Sequence, residues 1–159
     1  MKIEEKLVKL LIKKNLTIAC AESCTAGLLS ASIVNAPSAS KILNYSAVTY
    51  SNEAKKQHLN ISENDIANYG VVSEEIASQM AKNIAQKAGS DIGISVTGNA
   101  GPEQGDCSKP VGTVCFGFYI LGKVYSVTEL FLNMPRNDVR LSSVYFCINK
   151  LIELLDNVR

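Results

Sequence analysis

The stretch LTIACAESCTAGLLSASIV, residues 16–34, predicts the basic unit of the fold. Its first six residues are almost all apolar, which is typical of a short buried strand. A polar turn follows, in which Ser23 or Thr25 is a suitable N-cap for the next helix. That helix must stop before Pro37, because proline disfavours helical geometry in the preceding residue. A buried strand that leads directly into a helix is typical of α/β proteins.

Along the rest of the chain, strands and helices continue to alternate. Ser73 and Gly89 bracket the clearest helix, with the serine as its N-cap and the glycine at its C-terminal end. The short segment Leu121-Gly122-Lys123 predicts an antiparallel hairpin between the last two strands. The predicted strands are 16–21, 43–50, 91–96, 111–120 and 124–132, and the predicted helices are 3–14, 27–34, 53–59, 63–68, 73–89 and 137–155.

This order of elements predicts an α/β fold, as a three-layer α/β/α sandwich with a mixed, mostly parallel sheet of about five strands. The 159 residues suit a single domain, 1–159, and 47% of them are apolar, which is enough for a sizeable core. The net charge of +1 gives no reason to expect a nucleic-acid or membrane partner.

The cysteine content and the N-terminal segment indicate the cellular compartment of the protein. Five cysteines are present, an odd number without a Cys-x-x-Cys pair, so neither a zinc site nor a disulfide framework is expected. The N-terminal segment is amphipathic and charged rather than a signal peptide, and no apolar run reaches the ~18 residues of a membrane span. We therefore expect a cytoplasmic protein that uses no metal and no cofactor.

Three polar segments follow predicted strands, where α/β folds place their ligand sites. In residues 21–27, Ser23 could serve as a nucleophile beside the free N–H groups of a helix start, or could simply cap the helix. In residues 50–55, Glu53 and Lys55 could be ordinary first-turn residues, since spacing alone does not bring Lys55 to Ser23. In residues 97–110, three glycines allow close backbone approach to an anion, but a surface loop is equally compatible.

Taken together, five segments give this sequence a specific resemblance. They are AESCTAG (21–27), VTYSNEAK (48–55), GVVSEEIA (70–77), VTGNAGP (96–102) and KPVGTV (109–114). In this order they resemble the CinA C-terminal-domain family, which includes stand-alone nicotinamide-nucleotide amidohydrolases. The resemblance implies an α/β/α sandwich, and a reaction that converts nicotinamide mononucleotide and water to nicotinic acid mononucleotide and ammonia.

The resemblance also implies roles for individual residues. The catalytic residues would be Ser23 as nucleophile, Lys55 as its partner and Tyr50 nearby, and the substrate would be a small nucleotide. Members of this family are also expected to form homo-oligomers. Asn99 and the loop 103–108, which contains Cys107, depart from the usual pattern of the family. The implied substrate-binding residues are Glu22, Cys24, Thr25, Thr97, Gly98, Ala100, Gly101, Lys109, Gly112, Arg136 and Arg140.

Elementary chemistry sets a condition on this assignment. A serine attacks an amide only when a base takes its proton, and a free lysine titrates near ~10.4, too high to act as a base at neutral pH. Lys55 must therefore be buried or lie beside a cation. Either Arg136 or Arg140 could hold the 5′-phosphate, because a guanidinium matches phosphate with two parallel hydrogen bonds.

Two alternatives remain open at this level. The first is a cysteine hydrolase in which Cys24 is the nucleophile and His58, the only histidine, is the base. The second is a nucleotide-binding module without catalytic activity. A solvated His58 would argue against the first, and release of ammonia would argue against the second.

Overall fold

A five-stranded sheet lies at the centre of the computed structural model, which describes residues 1–105 and 108–158; Cys107 lies outside these ranges. The strand order in space is β2-β1-β3-β4-β5. The strands are β1 (Ile18–Glu22), β2 (Leu43–Val48), β3 (Ile92–Gly98), β4 (Thr113–Ile120) and β5 (Lys123–Leu130).

The sheet is mixed, as predicted. Strand β1 pairs in parallel with β2 and β3, whereas β4 pairs antiparallel with both β3 and β5. Four strands therefore point one way and β4 alone runs against them. The hairpin between β4 and β5 turns on two residues, Leu121 and Gly122, both with positive φ, so Lys123 belongs to the strand and not to the loop.

Helices cover both faces of this sheet, and their bounds follow local capping chemistry. The Ser51, Ser62 and Ser73 side chains each accept a hydrogen bond from the first turn of the helix that follows. Gly89 ends the longest of these three helices in the left-handed conformation, as predicted. The helices are α1 (Ile3–Lys14), α2 (Leu28–Val34), α3 (Asn52–Leu59), α4 (Glu63–Tyr69), α5 (Glu74–Ala88) and α6 (Arg136–Asp156).

Two apolar cores lie between the layers. The larger packs α1, α2 and α6 against one face of the sheet, and the smaller packs α3, α4 and α5 against the other. Helix α5 lies very close to the strands: a Cβ added at Gly93 would fall 1.9 Å from the carbonyl oxygen of Ala81. The three-layer sandwich predicted from the sequence is therefore the observed fold, and the carboxyl ends of the parallel strands are left as one polar edge.

Candidate active site

A cavity of about 200 Å³ opens at the carboxyl ends of β1, β2 and β3, the place where open α/β sheets bind ligands. Each of the three polar segments singled out in the sequence contributes to it. The lining residues are Ser23, Cys24, Tyr50, Asn52, Lys55, Val71, Val72, Thr97, Gly98, Asn99, Ala100 and Arg136.

Ser23 occupies the turn directly after β1. Its own N–H donates to the carbonyl oxygen of Val96 at 2.9 Å, which ties the turn to the end of β3. Among the described residues, the N–H groups of Cys24 and Thr25 donate no hydrogen bond to another residue. Two backbone donors beside a serine hydroxyl are the arrangement that stabilises the oxyanion of acyl transfer.

The buried Glu22 side chain holds this turn in place through hydrogen bonds. One carboxylate oxygen accepts hydrogen bonds from the Thr25 hydroxyl and from the N–H groups of Gly27 and Leu29, at 2.7 to 3.1 Å. The second oxygen accepts from the N–H and the hydroxyl of Ser30. The carboxylate therefore caps α2, as expected of an anion at a helix N-terminus.

The prediction that Ser23 or Thr25 caps α2 is therefore wrong. Gly27, with φ of 98°, is the N-cap residue, and the acceptor that the first turn needs comes from Glu22. The side chains of Glu22 and Thr25, both predicted to bind substrate, are engaged with each other and lie outside the lining of the cavity.

Lys55 is the largest fully buried side chain of the protein's described part, with 1% of its surface exposed. Its Nζ lies 3.0 Å from Ser23 Oγ, 2.8 Å from the carbonyl oxygen of Thr49 and 3.5 Å from that of Tyr50. None of the ion pairs formed by described residues includes Lys55. Within the described part of the chain, the amine thus has two acceptor neighbours, one hydroxyl neighbour and no carboxylate to hold a proton on it.

Burial lowers the pKa of Lys55 from 10.5 to about 8, because an ammonium ion loses its hydration in this site. A smaller interaction with the Cys24 side chain acts in the opposite direction. The sequence required either burial or a neighbouring cation to lower the pKa of this lysine, and burial is the cause in this site.

The same surroundings disfavour the cysteine alternative. Cys24 is buried, and loss of solvation raises the pKa of its thiol from 9.0 to about 12, which leaves it protonated at neutral pH. His58 is exposed on α3 and lines a separate polar depression with Asn83 and Lys87. The proposed cysteine and histidine therefore do not share a site.

Arg136 closes one side of the cavity. From the first residue of α6 its guanidinium donates to the Tyr50 hydroxyl at 2.8 Å and to the carbonyl oxygen of Gly101. The Tyr50 phenol is 56% exposed and bonds to Arg136, whereas only its carbonyl oxygen contacts Lys55. Tyr50 thus lines the cavity, and its hydroxyl is hydrogen-bonded to Arg136 and not to Ser23 or Lys55.

Arg140 lies one turn further along α6 and does not line the cavity. Its Nε donates to the carbonyl oxygen of Cys24 at 2.9 Å, and a second nitrogen donates to that of Thr25 at 3.3 Å. These bonds hold the turn that carries Ser23. Of the two arginines predicted from the sequence to hold a phosphate, only Arg136 faces the cavity.

Some residues of the glycine-rich loop after β3 line the cavity and others do not. The Thr97 hydroxyl donates to the carbonyl oxygen of Val71, and Thr97, Gly98 and Ala100 line the cavity. Lys109 does not line the cavity, and its amine donates to the carbonyl oxygen of Val72, which does. At Gly112 a Cβ would fall 2.2 Å from the carbonyl oxygen of Phe131, so this glycine serves chain packing.

Eight predicted site residues meet at the cavity, and four further lining residues were not among the predicted ones. Asn52, Val71, Val72 and Asn99 belong to segments that the resemblance had already identified, so membership in a motif was the available signal. The predicted residues that line the cavity are Ser23, Cys24, Tyr50, Lys55, Thr97, Gly98, Ala100 and Arg136, and those that do not are Glu22, Thr25, Gly101, Lys109, Gly112 and Arg140.

Over residues 1–105 and 108–158, no cluster of three His, Cys, Asp or Glu side chains has the spacing of a metal site. Within the same ranges, no helix combines the length and hydropathy needed to cross a membrane. The four described cysteines are buried and form no disulfide with one another.

Fold and site together define an α/β/α protein with a serine–lysine pair in a cavity at the edge of its sheet. A sequence profile described as the CinA C-terminal domain matches residues 1–155, and the chain belongs to this family. The chain is 51% identical over 149 residues to a CinA-like protein of Dictyoglomus thermophilum, covering 94% of this chain and 35% of that protein. It thus spans about a third of the length of the curated relatives it matches.

Solved structures agree with this assignment. A CinA superfamily protein from Escherichia coli superimposes with a TM-score of 0.92 at 32% identity, covering 96% of this chain and 88% of that one. A competence or damage-inducible protein from Enterobacter asburiae superimposes with a TM-score of 0.93 at 33% identity, covering 96% of each chain. The resemblance inferred from the five motifs is therefore confirmed at the level of family and fold.

Proposed function

We propose that this protein hydrolyses the carboxamide of nicotinamide mononucleotide to a carboxylate and ammonia, with Ser23 as nucleophile and Lys55 as general base. The observation that carries the proposal is the environment of the Lys55 amine. A neutral amine has two N–H donors and one lone pair, and its neighbours are two carbonyl oxygens and one hydroxyl. The lone pair is thereby directed at the proton that a serine nucleophile must lose.

The steps follow from this arrangement. Neutral Lys55 takes the proton of Ser23 as Oγ attacks the carboxamide carbon and forms a tetrahedral intermediate. The intermediate collapses with cleavage of the C–N bond, and the leaving nitrogen receives the proton from Lys55 and departs as ammonia. Lys55 then deprotonates a water molecule, which attacks the acyl-enzyme ester. The carboxylate leaves as its ester bond to Ser23 breaks, and Lys55 returns the proton to Ser23 Oγ.

The oxyanion of both tetrahedral intermediates needs donors that are already in place. We assign this role to the N–H groups of Cys24 and Thr25, which donate no hydrogen bond to another described residue. Glu22 and Arg140 support them indirectly, since Glu22 fixes the start of α2 and Arg140 holds the carbonyl oxygens of the same two residues. These contacts keep the turn rigid without touching the substrate.

The size of the cavity fits one part of the substrate better than the whole. About 200 Å³ is below the ~300–1,000 Å³ that encloses a drug-sized ligand, so the pyridine ring would fill the cavity and the ribose phosphate would lie at its mouth. Arg136 stands at that mouth and uses two of its five N–H donors on Tyr50 and Gly101. The remaining donors are available to a phosphate.

A nucleotide-binding module without catalysis is the second candidate, but the Lys55 site disfavours it. Burying an amine against carbonyl oxygens without a counter-charge costs free energy that binding alone would not require. We also propose a cytoplasmic location, since the four described cysteines are free thiols, which suit a reducing compartment.

Ammonia release from a panel of nicotinamide mononucleotide, nicotinamide riboside and free nicotinamide tests this proposal. We expect turnover of the mononucleotide, less of the riboside and least of nicotinamide. Tight binding of the mononucleotide without ammonia would establish the non-catalytic alternative, and turnover of an unrelated amide alone would reject the substrate.

A further inference from the structure

Asn99 lines the cavity from the loop that follows β3, and two hydrogen bonds fix its main chain. Its N–H donates to the carbonyl oxygen of Thr113 at 2.9 Å, and its carbonyl oxygen accepts from the N–H of Gly112 at 2.7 Å. Both bonds join Asn99 to the segment that leads into β4. The sheet therefore sets the place from which the Asn99 side chain extends.

The Asn99 side chain spans the turn that follows it. Its Oδ1 accepts from the N–H of Gly101 at 3.0 Å, and its Nδ2 donates to the carbonyl oxygen of Gln104 at 2.6 Å. An asparagine that bonds to the main chain two residues further on fixes the conformation of a turn. Gly101 has a φ of 78°, and a Cβ there would fall 2.4 Å from Val111 Cγ1. Packing and the Asn99 bond thus hold this glycine together.

The carbonyl oxygen of Gly101 connects the turn to the proposed phosphate-binding group. It accepts from one nitrogen of the Arg136 guanidinium, while a second nitrogen donates to the Tyr50 hydroxyl at 2.8 Å. Arg136 is exposed at the start of α6, and ordering an exposed arginine costs rotamer entropy. Two acceptors on separate segments hold the guanidinium at the cavity beforehand, so that a phosphate does not have to order it on binding.

We propose that Asn99 is a positioning residue that gives the site its preference for a phosphorylated substrate, because it holds the Gly101 carbonyl oxygen that accepts from Arg136. The inference rests on the proposed function, since the phosphate is that of the proposed substrate. Without the Asn99 amide, the N–H of Gly101 loses its acceptor, and the turn relaxes to satisfy it elsewhere. The carbonyl oxygen moves with the turn, and the guanidinium loses one of its two fixed partners.

The size of the effect follows from the partner that remains. The Tyr50 hydroxyl stays in place when Asn99 is replaced, so the loss should be smaller than that caused by removal of Arg136. A contribution that passes through Arg136 should also vanish once the guanidinium is gone, because the two residues then act as one unit. A direct bond from the Asn99 amide to the substrate would persist in the absence of Arg136.

Calorimetric titration in a Ser23→Ala background, where bound substrate is not turned over, separates these cases. Asn99→Leu has a similar side-chain volume and removes both hydrogen bonds of the amide. It should weaken binding of nicotinamide mononucleotide by about fivefold and binding of the riboside by less than about twofold. Arg136→Ala should weaken binding of the mononucleotide by about tenfold, and the double variant should lose no more than that. Asn99→Ala should give the same values as Asn99→Leu without the added apolar group.

Thr113→Val is the matched control. It removes a hydroxyl bond to the carbonyl oxygen of Pro110 at the end of the same loop and leaves the main-chain contact with Asn99 in place, so it should bind both ligands as the parent does. Equal losses for both ligands in Asn99→Leu, losses that multiply in the double variant, or altered selectivity in Thr113→Val would each overturn the role of Asn99. A parent that does not bind the mononucleotide would reject the proposed function itself, and this inference with it.

Discussion

Lys55 Nζ lies 3.0 Å from Ser23 Oγ, although the two residues are 32 positions apart in the chain. Parallel pairing of β1 with β2 causes this contact, because Ser23 follows the end of β1 and α3 begins directly after β2. The sequence identified both segments as polar ends of strands. Only the register of the parallel pair brings the amine to the hydroxyl.

The first prediction concerns the pH dependence of the rate. Lys55 acts as a base only in its neutral form, and burial lowers its pKa to about 8. The rate should therefore rise with pH, with a midpoint near this value, and level off above it. Lys55→Arg should be nearly as inactive as Lys55→Ala, since a guanidinium does not deprotonate in proteins.

His58→Ala is the control for this experiment, because His58 is exposed and outside the cavity. The variant should keep both the rate and the midpoint of the pH profile. An active Lys55→Arg enzyme, or a profile that disappears in His58→Ala, would contradict the assignment of Lys55 as the base.

The second prediction concerns stability. Below pH 8 the folded and the unfolded chain both hold the Lys55 proton, and the fold bears the full cost of the buried charge. Between pH 8 and 10.5 the unfolded chain binds more protons, so the free energy of unfolding should rise with pH through this window. Lys55→Met removes the charge and should raise the free energy of unfolding at pH 7 by on the order of 3 kcal/mol, the free-energy equivalent of lowering the pKa from 10.5 to about 8.

Urea denaturation at pH 7 and at pH 10 measures this difference. The gain from Lys55→Met should shrink at the higher pH. Lys56→Met, one residue along the same helix, is the matched control because the Lys56 side chain reaches solvent and pairs with Glu53. A loss of stability in Lys55→Met at pH 7 would mean that the buried amine is a net stabilising group.

Local patterns were sufficient to predict most of the fold from the sequence. The capping serine Ser73, the terminating Gly89 and the two-residue turn at Leu121 act within a few residues of chain, so their consequences are visible in the sequence. The N-terminus of α2 was predicted wrongly because its cap comes from Glu22 on the preceding strand. A capping rule that inspects only the first turn does not include that carboxylate.

The site was predicted only in part, for a related reason. Motifs identified which residues belong together, but not the direction of each side chain. Arg136 and Arg140 lie one helical turn apart, but their guanidinium groups have different partners. Arg136 donates to the Tyr50 hydroxyl at the cavity, whereas Arg140 donates to the carbonyl oxygen of Cys24. Sequence spacing does not distinguish these two orientations.

The third prediction concerns the cap of α2. The Glu22 carboxylate accepts from three backbone N–H groups and two hydroxyls, and Glu22→Gln replaces one acceptor oxygen by an amide donor. We expect a loss of about 2–3 kcal/mol in the free energy of unfolding, the cost of hydrogen bonds lost to a charged acceptor. Thermal unfolding with Glu53→Gln as control measures this, since Glu53 is exposed at the start of α3. Equal melting temperatures for both variants would show that the Glu22 bonds contribute little.

The fourth prediction separates the two arginines. Arg136 faces the cavity and should hold the phosphate, so Arg136→Ala should raise KM for the mononucleotide by about tenfold or more and affect the riboside much less. Arg140 holds the turn that carries Ser23, so Arg140→Ala should lower kcat for both substrates by a similar factor. Steady-state kinetics with both substrates tests this, and the reverse pattern would exchange the two roles.

The central claim is that Ser23, and not its neighbour Cys24, attacks the carboxamide. The most direct test is the kcat for ammonia release from nicotinamide mononucleotide by Ser23→Ala and Cys24→Ala, with folding of each variant checked by circular dichroism. Ser23→Ala should lose on the order of 10⁴-fold or more, whereas Cys24→Ala should stay within about tenfold of the wild type, because the Cys24 thiol is protonated at neutral pH and His58, the base of the cysteine alternative, lies in a separate depression. An active Ser23→Ala enzyme together with an inactive Cys24→Ala enzyme would contradict the serine–lysine account.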